Sequence, residues 1–183
     1  MSEFNNDLLF AEQQRTRLKD FYSIKAYEGR YVFINKESGE IGKYLQNKAI
    51  DTILQITDKK EVYIEEKIVR WKGKKYTAFT LETDSCTVAG REKDGWMKYG
   101  KFDYLLYGFT QEDYSIEVYI IPFKKLKEWF WKNYKNYPIT ITEQINRTSC
   151  RIVDILNVEK YVGFKKYIIP SFNPVGKLAK PAF

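Results

Sequence analysis

Residues 51–70 read DTILQITDKKEVYIEEKIVR, and the fold turns on how this stretch doubles back on itself. Asp51–Thr57 alternates β-branched with polar residues, Asp58-Lys-Lys-Glu61 is a polar connection, and Val62–Arg70 resumes the strand pattern. That arrangement predicts a β-hairpin. On its second strand Glu65 and Lys67 stand two apart and leave the same face, while Glu66 points the other way with Ile64 and Ile68. Asp51 opens the first strand, fourteen residues before Glu65. Across a hairpin these two carboxylates converge where a hard cation fits, since Mg²⁺ takes a few protein oxygens and keeps several waters. Asp58-Lys-Lys60 has the same acidic-x-Lys spacing but reads as turn residues.

Outward from the hairpin the chain alternates helical and extended patterns. Leu8, Ala11, Leu18 and Tyr22 recur near helical spacing, which predicts a helix over Asn5–Tyr22. Tyr31–Asn35 is a short strand, followed by a turn at Ser38-Gly39. Beyond the hairpin, Tyr76–Thr83 is a third strand, and Asp84–Lys101 is a looser stretch with three glycines and Trp96. Asp103–Phe109 and Ile116–Ile121 are further strands. Pro122 opens a helix to about Tyr137 whose stripe of Leu126, Trp129, Phe130, Tyr134 and Tyr137 is apolar and whose remainder is rich in lysine. Trp131 falls outside that stripe, and strands near Arg151–Ile155 and Tyr167–Ile169 complete the pattern. With no repeat, linker or low-complexity tract, residues 1–183 read as a single α/β domain with a mixed central β-sheet flanked by helices.

Composition narrows the chemistry. The 183 residues include no histidine, which excludes the Ser-His-Asp triad, the Cys-His dyad and histidine-ligated zinc or haem. Two cysteines, Cys86 and Cys150, make no disulfide framework and fit a cytoplasmic protein. Neither a secretory signal nor a membrane-spanning stretch is visible. The net charge of +7 is unevenly spread: residues 120–183 hold 12 Lys and Arg against 4 Asp and Glu, and residues 1–119 hold 19 against 20. A carboxylate site in the first part and a polyanion-facing surface in the last third follow as expectations. Lysines that merely keep the surface soluble are the plainer alternative.

Asp51, a spacer of this length, then Glu65-Glu66-Lys67 on a strand resembles the PD-(D/E)xK nuclease superfamily, the restriction-endonuclease-like proteins. Ile50 stands where that family's motif usually has proline. Thr83-Asp-Ser85, Gly95-Trp96 and Asp103-Tyr-Leu-Leu-Tyr107 add a likeness to small phage and prophage members. The resemblance implies a restriction-endonuclease-like core and a Mg²⁺- or Mn²⁺-dependent nuclease acting on DNA, with RNA left open. It implies that Asp51, Glu65 and the Glu66 main-chain carbonyl hold the metal and that Lys67 is catalytic. A lysine near two carboxylates favours its charged form, so Lys67 suits electrostatic stabilisation at least as well as base catalysis. Glu12 on the first helix matches a further metal ligand of some branches, or is simply an exposed helix carboxylate. Lys124, Lys125, Lys132, Arg147, Arg151, Lys165 and Lys166 form the expected nucleic-acid surface. One site cuts one strand, so double-strand cleavage calls for a homodimer or two successive events. A non-cleaving nucleic-acid-binding protein of the same fold and a phage protein that binds a host protein are the competing readings.

Overall fold

The computed structural model describes residues 3–34, 39–86, 92–142 and 148–171, without the side chains of 3–9, 11, 12, 27, 86, 92 and 142. In chain order the elements are α1 (Glu3–Lys25), β1 (Tyr31–Phe33), α2 (Gly39–Gln46), β2 (Thr52–Thr57), β3 (Lys60–Val69) and β4 (Ala78–Cys86). There follow β5 (Glu92–Asp94), α3 (Trp96–Tyr99), β6 (Tyr104–Thr110), β7 (Ile116–Pro122) and α4 (Phe123–Asn133). The last are β8 (Ile139–Thr142), β9 (Thr148–Asp154), α5 (Ile155–Tyr161) and β10 (Lys165–Ile169).

The 51–70 segment forms the expected hairpin. Asp58 and Lys59 turn the chain, and Thr57 pairs with Lys60, Leu54 with Val62 and Thr52 with Ile64. This hairpin lies within a six-stranded sheet of order β1-β2-β3-β6-β7-β10. Its β3–β6 pairing is parallel and the others are antiparallel, so the sheet is mixed. The Tyr76–Thr83 strand takes a different course from the rest. As β4 it joins a separate antiparallel sheet of four strands, β5-β4-β9-β8. Strand propensity alone does not name a pairing partner, so the second sheet was not legible.

Alternation along β6 shows how the layers assemble. Leu106 packs into a cluster with Leu18 and Tyr22 of α1 and with Leu54, Val62 and Ile64 of the hairpin. Its neighbours Leu105, Tyr107 and Phe109 enter the other core, with Phe79 and Leu81 of β4, Phe130 of α4 and Val153 of β9. Fully burying side chains of this size contributes about 1.5–3 kcal/mol each, enough to fix which face of each strand looks inward. Trp131 does not lie free of the core as its position in the helical pattern suggests. It packs at the core's margin, and its Nε1 donates to the Met97 carbonyl at 3.3 Å, tying α4 to α3. The expected helix is also shorter at its end, where Tyr134–Asn136 tightens into a 3₁₀ turn.

Gly95 sets α3 against β4. Its amide donates to the Thr83 carbonyl at 2.9 Å, and a Cβ built at this position lies 2.7 Å from the Glu82 carbonyl oxygen. Backbone atoms cannot step aside as a side-chain tip does, so Gly95→Ala is expected to destabilise the fold by about 1–3 kcal/mol. Urea unfolding checks this; a midpoint equal to wild type would show that the close approach is relaxed at no cost.

Candidate active site

Two backbone contacts position Asp51. Its amide donates to the Ile64 carbonyl at 2.8 Å, and its carboxylate Oδ2 accepts the Glu66 amide at 2.9 Å. The hairpin ladder is thereby extended one residue beyond β2, with the Asp51 side chain laid along β3. The Glu65 carboxyl stands in hydrogen-bonding contact with that of Asp51. Burial first, then the Asp51 charge, pushes the Glu65 carboxyl well above the usual carboxylate range, and Glu66 and Glu82 push it the same way. A carboxyl this close to another's negative charge is costly to ionise, which favours its protonated form or a nearby cation.

Glu66 points to the opposite face, as the alternation requires, and joins the sheet to α1. Its Oε1 accepts the Tyr22 hydroxyl at 2.7 Å and the Thr52 hydroxyl at 2.5 Å. Burial, with the Asp51 charge second, raises this carboxyl to about 7, against the lowering effect of those two hydroxyls and of Arg15. From α1, Arg15 brings a guanidinium nitrogen to 3.7 Å from Asp51 Oδ1, over the Phe33 ring.

The second sheet completes the cluster. Glu82 of β4 is partly buried, and its carboxyl accepts the Trp96 backbone N–H at the start of α3. Burial raises the Glu82 carboxyl, while the nearby Lys67 ammonium draws it back down. Lys67 also acts on the buried Cys150 thiol. Lys67 thus leaves the same face as Glu65, and its charge acts on Glu82 and Cys150 of the second sheet. At the outer side, α3 presents Tyr99. Burial, then the charges of Glu65, Glu82 and Asp51, pushes its phenol up to about 12, although the residue is 39% exposed.

The structure therefore brings Asp51, Glu65 and Glu66 together, sets the Lys67 charge near Glu82, and adds Glu82, Arg15 and Tyr99, which the sequence reading passed over. Glu82 left one signal: an acid between Leu81 and Thr83, inside a strand whose neighbours are buried. Glu12 lies in α1 one turn before Arg15, with its side chain outside the described residues. Asp103 is structural, since its Oδ2 accepts the Tyr63 amide at 2.8 Å. Asp84 is engaged by Lys98 at 2.5 Å.

The expected basic surface is spread over several elements. Lys124, Lys125 and Lys132 are exposed on α4, and Arg147 lies outside the described residues. Arg151 donates to the Tyr137 carbonyl at 2.7 Å and sits over the Tyr134 ring. Lys165 and Lys166 are on β10, three strand positions from β3, about 14 Å by strand spacing. Lys166 pairs with Glu117 at 3.0 Å.

Among the described residues no three or more His, Cys, Asp or Glu side chains close on one point as a preformed metal cage does. The donor set instead fits a hydrated hard cation held by one or two carboxylates, since the Asp51 and Glu65 carboxyls lie close enough to act on one another.

A raised carboxyl stabilises the fold in its protonated form. The Glu66 contribution is therefore present at low pH and is lost as pH rises from the ordinary value of 4.5 through about 7. In EDTA, Glu66→Gln is expected to lose about 2 kcal/mol less stability than wild type between pH 5 and pH 8. Urea unfolding across that range reads the difference, and parallel profiles for the two proteins would contradict it. Comparison of the chain with protein-family models, with curated proteins and with solved structures gives no match.

Proposed function

We propose that the chain is a Mg²⁺- or Mn²⁺-dependent nuclease that hydrolyses phosphodiester bonds in DNA on a restriction-endonuclease-like core. The observation that carries this reading is the contact of the Asp51 and Glu65 carboxyls, with Lys67 two residues farther along the same face of β3. In this reading Asp51, Glu65 and the Glu66 main-chain carbonyl hold the metal. A divalent ion there supplies an activated water and neutralises charge on the phosphate.

The remaining work falls to side chains. Lys67 offers a compact positive charge to the phosphate, and the Glu82 carboxyl lies close enough to feel that charge. Tyr22, Thr52 and Glu66 keep the Asp51 end of β2 in register from behind the sheet. Tyr99, partly exposed and within reach of the Glu65, Glu82 and Asp51 charges, is placed to line the approach of a phosphodiester. Because one site cuts one strand, cleavage of a duplex requires a homodimer or two successive events.

A second reading, nucleic-acid binding without cleavage, is favoured by one contact. The Arg15 guanidinium near Asp51 supplies positive charge to that carboxylate without any metal. Incubation with plasmid, linear and single-stranded DNA and with RNA, in Mg²⁺, Mn²⁺ or EDTA, separates the two. Nuclease action predicts metal-dependent cleavage that Asp51→Asn and Lys67→Ala each reduce by about 100-fold or more, the scale of losing one charge-stabilising group. Cleavage retained in Asp51→Asn, or firm binding with no cleavage in either metal, would reject it.

Metal binding has its own readout. A ligand that binds only the folded protein stabilises it by mass action, by about 2.7 kcal/mol at 100 times its dissociation constant. Mn²⁺ is expected to raise the melting temperature of wild type and to leave Asp51→Asn unmoved. The rise is larger at pH 8 than at pH 5, because protons held by the raised Glu65 carboxyl compete with the ion. An equal rise in both proteins would place the ion elsewhere.

A further inference from the structure

Beside the cluster the chain carries a rim that is basic and aromatic, drawn mainly from the part of the chain whose charges nearly cancel. Two short segments build it. The end of α2 carries Tyr44 and runs through Lys48 into Asp51. The end of α3 carries Tyr99 and runs into Lys101. The segments are stitched together by the Lys101 amide, which donates to the Lys48 carbonyl at 2.9 Å.

The side chains of the rim are arranged for a particular shape of polyanion. Tyr44 is 58% exposed, with the Lys48 ammonium 3.9 Å from its ring centroid and Lys101 close enough to act on its hydroxyl. Lys127 of α4 reaches the same place, donating to the Lys98 carbonyl at 2.6 Å, and feels the Lys101 charge. Tyr99, at the end of α3 two residues before Lys101, joins the rim to the cluster, since it is close enough to feel the Glu65, Glu82 and Asp51 charges. An exposed tyrosine face stacks on a base only when that base is free of its neighbours, a condition single strands meet and duplexes do not. The carboxylates are also recessed, the Asp51 side chain being 27% exposed, and one flexible strand enters such a recess more readily than a double helix.

We propose that Tyr44, Lys48, Tyr99 and Lys101 form the strand-binding track of the site, and that its substrate is a single-stranded nucleic acid. The lysines hold backbone phosphates, and the tyrosines stack the bases that flank the phosphate delivered to Asp51 and Glu65. This rests on the nuclease reading for its purpose but not for its test, because binding is measured without cleavage.

The experiment is fluorescence anisotropy in EDTA with a labelled 20-nucleotide DNA strand, the RNA strand of the same sequence, and the blunt DNA duplex. The track predicts that at least one single strand binds about 10-fold or more tighter than the duplex. It predicts that Tyr44→Ala weakens single-strand binding about 5-fold or more, the lower end of the stacking range. Lys48→Glu with Lys101→Glu weakens it further and reduces the magnitude of the salt slope by about 1.4, or 0.7 per phosphate released. Melting temperatures check that the variants fold. Duplex binding equal to or tighter than single-strand binding, or unchanged affinity in both folded variants, overturns the proposal. Single-strand binding by the track without cleavage in Mg²⁺ or Mn²⁺ leaves it standing and removes the nuclease reading instead.

Discussion

The junction of β2 and β3 at Asp51 is the constraint on which the rest of the site depends. One bond, Asp51 amide to Ile64 carbonyl at 2.8 Å, continues the ladder past the strand end. A second, Glu66 amide to Asp51 carboxylate at 2.9 Å, uses the side chain in place of a further backbone partner. Together they put an acid against Glu65 that would otherwise swing into solvent. The arrangement is costly, because carboxyls repel at this distance. It is held from behind by the Glu66 carboxyl, which Tyr22 and Thr52 bond from α1 and β2. The packing of Leu18 and Tyr22 against the hairpin keeps water from competing for these bonds.

The two sheets divide the work around that junction. The six-stranded sheet supplies Asp51, Glu65 and Lys67 from adjacent strands, where register fixes their spacing. The four-stranded sheet supplies Glu82, whose carboxyl feels the Lys67 charge. Between them α3 is held by the Gly95 amide at one end and by Trp131 from α4. A four-residue helix has no stability of its own, so the position of Tyr99 is set wholly by these tertiary contacts. The charge of the last third is dispersed over α4, β9 and β10, whereas Lys48 and Lys101, on the short connections after α2 and α3, are joined through the backbone close in sequence to Asp51 and Tyr99.

What could be read from the sequence follows from which interactions are local. The 51–70 hairpin was legible because β-branched alternation and a polar turn fix register over a short span, and register alone pairs Asp51 with Glu65. The face assignments of Glu65, Glu66 and Lys67 follow from the period of two. The parts that escaped depend on distant partners. α2 holds two glycines in eight residues, so its helical pattern is weak. β4 has ordinary strand composition, and nothing in it names β9 rather than β3 as its neighbour. Glu82 gains its meaning only when that second sheet is in place. The mixed α/β class emerged correctly, while its division into two sheets required the packing of Phe79 and Leu81 against Tyr107 and Phe109.

The central claim is that Asp51 and Glu65 share one divalent cation, and Mn²⁺ anomalous scattering tests it most directly. Crystals grown at pH 8 with Mn²⁺ are predicted to show a peak between the two carboxylates, beside the Glu66 carbonyl, that disappears in Asp51→Asn. A map with no peak there, with the carboxyls still abutting or Arg15 closed onto Asp51, would contradict the account.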